Sequence, residues 1–199
     1  ADLCEEALFA IGGNMLLART GAMYHDVGKL KNPLFFTENQ HGKYNMHNEM
    51  SYYESSQIII NHVLDGIEIC RKYHVPEQII DFARTHHGTR RTEYFYQMEL
   101  KENPDIEVNE ADFRYHGPIP FSKETAVLMM ADSVEAASRS LNEKTEESIS
   151  KLVDGIIDAQ VNDNQFINTD LTFRDITTIK KVFKKKLMNI YHVRIAYPV

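Results

Sequence analysis

Two features that often identify a protein are scarce in this 199-residue chain: it has two cysteines, Cys4 and Cys70, and no long apolar run. One pair of cysteines supplies neither a disulfide framework nor zinc-finger spacing, and it agrees with a reducing cytosol. The longest apolar stretch, around Ile58-Ile59-Ile60, is broken by Asn61 and His62. Nothing therefore approaches the roughly 20 residues of a membrane-spanning helix. No signal peptide is visible. Positive charge is also short, with 22 Lys and Arg against 29 Asp and Glu and a formal net charge of -7. That argues against a DNA or RNA polymer as partner, because such partners require a basic footprint. A small anion held through metal ions remains open, since bound cations dominate a local field. Internal repeats and strand-like alternation are missing as well, which leaves an all-α reading.

Apolar residues recur at helical spacing over most of the chain. Leu3, Ala7, Leu8 and Ile11 mark a helix over 2–11, broken by Gly12-Gly13. Asn14 is placed to cap a second helix ending near Asp26, with Gly28 as its stop. Residues 31–46, with breakers Pro33 and Gly42, read as a loop. Ser51 and Glu54 form a capping box for a helix through His62, which Asp65-Gly66 interrupts before Ile67–Tyr73 resumes. Pro76 suits the first turn of a helix running to His87 and stopped by Gly88. A further helix is expected over 92–100. The stretch 101–121, acidic and holding Pro104, Pro118 and Pro120, reads as a surface insertion or lid. Helices over 122–140, 145–160 and 172–192 follow, the last opened by Thr172 and Asp175. The tail 192–199 has no clear pattern. The expectation is one all-α domain over 1–199, a fragment of a longer protein, because the chain opens inside a helical pattern.

The chemistry-bearing residues are among the nine histidines and the aspartates. His25-Asp26 and His86-His87 each sit at a predicted helix end beside a glycine. Neighbours on a regular helix point about 100° apart. At a terminus the backbone turns, and a glycine with positive φ lets both side chains converge. Taken singly, each pair also reads as half-exposed polar residues at a helix end. His62 beside an isoleucine run also reads as a core histidine with one partner. Asp132 follows six apolar residues, and a buried carboxylate requires a cation, either a metal or a base such as Arg139. Together, imidazole and carboxylate without thiolate suit iron, manganese, cobalt or zinc. A bridging carboxylate and two metals suit displacement at phosphorus. Tyr24, Phe35, Phe36 and Tyr44 are open to base stacking or to core packing.

His25-Asp26-x-Gly28-Lys29, His62, His86-His87-Gly88-Thr89 and Asp132 resemble, in order and spacing, the HD-domain phosphohydrolase superfamily. The resemblance spans roughly residues 1–141. The stretch 32–40 (NPLFFTENQ) and the ending His-His-Gly-Thr are most similar to the cytosolic domain of seven-transmembrane HD proteins, a branch of cyclic di-AMP phosphodiesterases. The cyclic di-GMP branch follows His-His-Gly with Tyr-Pro, whereas Thr89-Arg90 stands here.

The resemblance implies two divalent transition metals, iron or manganese foremost, with cobalt, nickel and zinc compatible. It implies that Asp26 bridges both metals. His25 and Asp132 would hold the first, with a histidine expected just upstream of Ala1. His62, His86 and His87 would hold the second. A hydroxide between the metals would attack phosphorus, with Asp26 and Lys29 as catalytic residues and Lys29, Thr89 and Arg90 as substrate contacts. The implied partner is a small cyclic dinucleotide, opened to the linear form. The implied setting is the cytoplasmic side of a bacterial inner membrane, reached through other segments of the parent protein, and a homodimer stays open. Other HD hydrolases, acting on a mononucleotide, a triphosphate or cyclic di-GMP, and a degenerate nucleotide-binding sensor are the alternatives.

Overall fold

The computed structural model describes residues 1–40 and 45–192, so Gly42, Tyr44 and the tail beyond 192 lie outside the described residues. The fold is all-α, as the periodicity predicts. Among the described residues there is no strand, only an isolated antiparallel bridge between Arg91 and Arg114. Contacts divide the chain into two compact units, one of residues 1–23 and 119 onward, the other of Tyr24–Pro118.

The first unit is built on helices α1 (Asp2–Ile11), α6 (Lys123–Arg139), α7 (Glu146–Asn162) and α8 (Phe173–His192), and most of α2 (Met15–Tyr24) also belongs to it. Their buried residues fall four apart, as an apolar helical stripe requires: Ile149, Val153 and Ile157 on α7, and Ile179, Phe183 and Leu187 on α8. Every start but that of α1 has a side-chain cap. Asn14 Oδ1 accepts from the Leu17 amide, and Ser122, Thr145 and Thr172 accept from the amides three residues on. Gly12, with φ of 78°, closes α1 in the left-handed conformation that glycine tolerates.

The second unit packs α4 (Glu77–Thr85), α5 (Glu93–Glu102) and a 3-10 turn over Val27–Lys31 around α3 (Tyr52–Lys72). Ser51 and Glu54 complete the predicted capping box. Here the structure corrects three expectations. Helix α3 runs unbroken through Asp65-Gly66 instead of being interrupted there. Helix α2 ends at Tyr24, and Gly28 is not in the left-handed region. Both glycines serve close approach: a Cβ on Gly28 would lie 1.9 Å from the His62 carbonyl oxygen and 2.5 Å from the Gly66 nitrogen. The third correction concerns the loop after Lys31, whose described parts are a series of 3-10 turns over Pro33–Phe35, Thr37–Asn39 and Met46–Glu49. Within 101–121, Phe113 is buried, and its carbonyl accepts from the Thr92 amide at 2.8 Å, so this part is anchored.

The close approach predicts opposite outcomes for two glycines. Gly28→Ala must push backbone against backbone and should cost at least ~3 kcal/mol in urea unfolding, or prevent folding. Gly155→Ala, at an exposed position of α7 with nothing within 4 Å of the new methyl, should gain ~1 kcal/mol. A Gly28→Ala protein of wild-type stability would contradict the packing described.

Candidate metal centre

Three segments of the second unit deliver the site. The turn after α2 carries His25, Asp26 and Lys29. Helix α3 carries His62 at its middle, and the C-terminal end of α4 carries His86 and His87. One ligand-capable atom from each of Asp26, His62, His86 and His87 lies within 4.8 Å of the others. Helix α4 stops at Thr85, so His86 and His87 lie in the turn that follows, and Gly88 takes φ of 53° just after.

The two buried imidazoles are oriented by the same device. His62 Nδ1 faces the Ile59 carbonyl at 2.5 Å, and His86 Nδ1 faces the Ala83 carbonyl at 2.8 Å. A carbonyl only accepts, so each Nδ1 carries the proton and each neutral ring presents a lone pair at Nε2. Those two Nε2 atoms face each other at 3.1 Å. A hydrogen bond between them would require an imidazolium, whereas burial drives His86 below the ordinary histidine value despite the nearby Asp26. Asp26 Oδ1 lies 3.4 Å from His62 Nε2 and 3.5 Å from His86 Nε2, is buried, and has no hydrogen-bond partner. Two lone pairs and an unsatisfied carboxylate oxygen converging on one point are what a cation fits, and backbone carbonyls behind ring nitrogens are the usual outer shell of metal-binding histidines. The donor set, nitrogen and carboxylate oxygen without sulfur, fits a divalent transition metal.

The other carboxylate oxygen looks elsewhere. Asp26 Oδ2 lies 3.3 Å from His25 Nε2 and 2.7 Å from Lys29 Nζ. Burial pushes the Asp26 carboxyl up, but His25 beside Oδ2 outweighs it, and the carboxyl stays below the usual carboxylate range. Lys29 is also paired with Glu38 at 2.6 Å. Burial lowers its ammonium, yet Asp26 and Glu38 prevail and raise it, so it stays charged.

His87 stacks on Tyr115, ring centroids 4.2 Å apart and planes 22° off parallel. Burial, with His86 and His62 beside it, holds His87 well below the ordinary value. Asp132 sits half-buried on α6 of the other unit. Thr89 and Arg90 are half-buried next to the cluster in sequence. The Thr89 carbonyl accepts from Arg114 at 2.9 Å, and the Arg90 carbonyl from the Tyr115 amide at 2.9 Å. Sequence reasoning missed Tyr115, Glu38 and the two orienting carbonyls. Tyr115 was hidden in a segment read as loose, and no sequence signal marks the carbonyls.

The HD domain family model matches residues 1–137. The chain therefore belongs to the HD-domain family of phosphohydrolases. It is 47% identical over 198 residues to the cyclic-di-AMP phosphodiesterase PgpH of Bacillus subtilis and 44% identical to that of Listeria monocytogenes. All of this chain is covered in both cases, but it spans only 28% and 27% of those relatives' lengths. The crystal structure of the L. monocytogenes PgpH HD domain matches with a TM-score of 0.90 at 43% identity, covering 96% of this chain and 89% of that one. The same domain in complex with cyclic-di-AMP matches with a TM-score of 0.91, covering 96% and 88%.

The buried neutral histidines predict an acid-sensitive fold once metal is removed. The unfolded chain takes up protons near the ordinary value of 6.5, while His86 and His87 resist them in the fold. The unfolded state then binds more protons, so stability is lost as pH falls through that value. Urea midpoints of chelator-treated protein should drop between about pH 7.5 and about pH 5.5, and His87→Asn should flatten the slope. A wild-type midpoint indifferent to pH over that window would contradict the burial argument.

Proposed function

We propose that this chain is the hydrolytic part of a longer bacterial membrane protein, acting on its cytoplasmic side, and that it opens cyclic di-AMP to the linear dinucleotide at a two-metal centre. The observation that carries the reading is the convergence of His62 Nε2, His86 Nε2 and Asp26 Oδ1 on one point. The names of the relatives supply the substrate, and the bound ligand of the matching Listeria domain supports it.

In this reading His62, His86, His87 and Asp26 would hold one metal, and Asp26 with His25 would serve the other. Asp132 keeps the ligand role that the family resemblance assigns it, and that assignment rests on the resemblance alone. Divalent ions bound there supply an acidified water near neutral pH and offset the charge that develops at phosphorus. The chain's own residues do the rest. The carbonyls of Ile59 and Ala83 hold the imidazoles in the metal-binding tautomer. Lys29, charged and beside Asp26, counters charge on the phosphate, as fixed cations do in phosphoryl transfer. Thr89 and Arg90 contact the substrate beyond it. No helix among the described residues is long and apolar enough to cross a membrane; the proposal assigns membrane attachment to other parts of the parent protein.

Manganese-loaded protein should hydrolyse cyclic di-AMP and leave cyclic di-GMP intact. Asp26→Ala should lose turnover below detection together with bound metal, measured by elemental analysis. Full activity in that variant would refute the scheme. Metal binding without turnover of cyclic di-AMP would move the assignment to another HD nucleotide hydrolase or a sensor domain.

A further inference from the structure

Lys29 carries the charge that the proposed reaction sets against the phosphate, yet a lysine is a poor fixed charge. Its four-carbon stem is flexible, and ordering it costs side-chain entropy. A cation stabilises developing charge without reorganisation only where it is already held in place. Lys29 Nζ lies 2.7 Å from Asp26 Oδ2 and 2.6 Å from Glu38 Oε1, and these carboxylates are its two ion-pair partners among the described residues. The Phe36 ring covers it from a third side, 5.2 Å away. An ammonium has three N–H donors, so with two on carboxylates one is left to aim elsewhere.

Glu38 is brought there by a short anchored turn. Phe36 is buried, its ring 5.6 Å from that of His62. The Asn39 amide donates to the Phe36 carbonyl at 2.9 Å and closes the turn Thr37–Asn39, in which Glu38 is the middle residue. The carboxylate thus reaches back over nine positions of chain to Lys29. Stability is a poor reason for this arrangement. The Glu38 side chain is 37% exposed, and an ion pair at such a site is worth little.

The two carboxylates differ in what they do once the cluster is occupied. Asp26 belongs to the group of ligand atoms that converges with His62, His86 and His87, and Glu38 does not. With a divalent ion in that group, the Asp26 charge is shared and the ammonium is repelled. Asp26 alone then holds Lys29 loosely, whereas Glu38 keeps its full charge on it. We infer that Glu38 is a positioning residue, which tethers the Lys29 ammonium beside the histidine–aspartate cluster and leaves one N–H directed at the scissile phosphate. The inference rests on the function proposed above and adds the group that makes Lys29 a fixed charge.

A double-mutant cycle in manganese-loaded protein tests it, with Glu38→Ala, Lys29→Ala and both together. Glu38 is exposed, so its removal leaves the fold alone. For cyclic di-AMP, kcat should fall about 10- to 100-fold in Glu38→Ala, the scale of a displaced catalytic group, with KM within about threefold of wild type. Glu38→Gln, which keeps an oxygen for the ammonium, should recover part of the loss. In the Lys29→Ala background the Glu38→Ala step should change kcat by less than about twofold, because the group it positions is gone. Equal losses in both backgrounds, or a Glu38→Ala enzyme of wild-type kcat, overturn the inference. A second readout needs no turnover. In metal-free wild type, nitrogen relaxation should find the Lys29 ammonium more restricted than that of exposed Lys151, and Glu38→Ala should release it. A Lys29 ammonium as mobile as that of Lys151 in wild type, or unchanged in the variant, overturns the tether. If wild type cleaves bis(4-nitrophenyl) phosphate but not cyclic di-AMP, the substrate reading alone fails, and the cycle is run on that ester. If it cleaves neither, the proposed function fails and the relaxation data decide the tether.

Discussion

The site depends on two backbones touching where neither residue has a side chain. Gly28 in the Val27–Lys31 turn lies against α3 at His62 and Gly66, closer than any Cβ would permit. Asp26 stands two positions before Gly28, and His62 stands one helical turn before Gly66. The contact thus fixes the distance between the carboxylate and the first imidazole, and the hydrogen bond from the Lys29 amide to the Asp26 carbonyl at 3.0 Å fixes the turn itself. A helix end displaced by even one methyl group would carry Asp26 out of reach of His62.

Electrostatics then explain why those groups are held together without hydrogen-bonding each other. His62 and His86 spend their Nδ1 protons on carbonyls three residues back, which leaves two lone pairs and a buried carboxylate oxygen facing one another. In a low-dielectric site such an arrangement is costly unless a cation completes it. Lys29 does not fill that role, because its ammonium sits on the other oxygen of Asp26 and on Glu38. The two oxygens of Asp26 therefore face two different environments.

Much of this was legible in the chain. The helices announce themselves by apolar spacing and by caps at Asn14, Ser51, Ser122 and Thr172, all of which act through neighbours three residues away. The convergence of His25-Asp26 with His62 and His86-His87 was legible from paired residues at helix ends and from the HD resemblance. What was not legible depends on distant partners. Gly66 looks like a helix breaker when judged locally, and only the approach of Gly28 reveals why a mid-helix glycine is there. Gly28 itself was assigned a left-handed conformation, whereas its small size is what matters. Tyr115 lies in an acidic, proline-bearing stretch whose composition hides the ring that stacks on His87. Glu38 lies in a run with no helical period, and its tie to Lys29 appears only once the chain has turned.

The most direct measurement is anomalous diffraction at the manganese absorption edge from crystals of the manganese-soaked protein. The account predicts a peak within coordinating distance of His62 Nε2, His86 Nε2 and Asp26 Oδ1, with the Nδ1–carbonyl contacts of both histidines unchanged. No peak there, or a direct Nε2–Nε2 hydrogen bond persisting in manganese, would contradict the claim that this cluster is a metal centre.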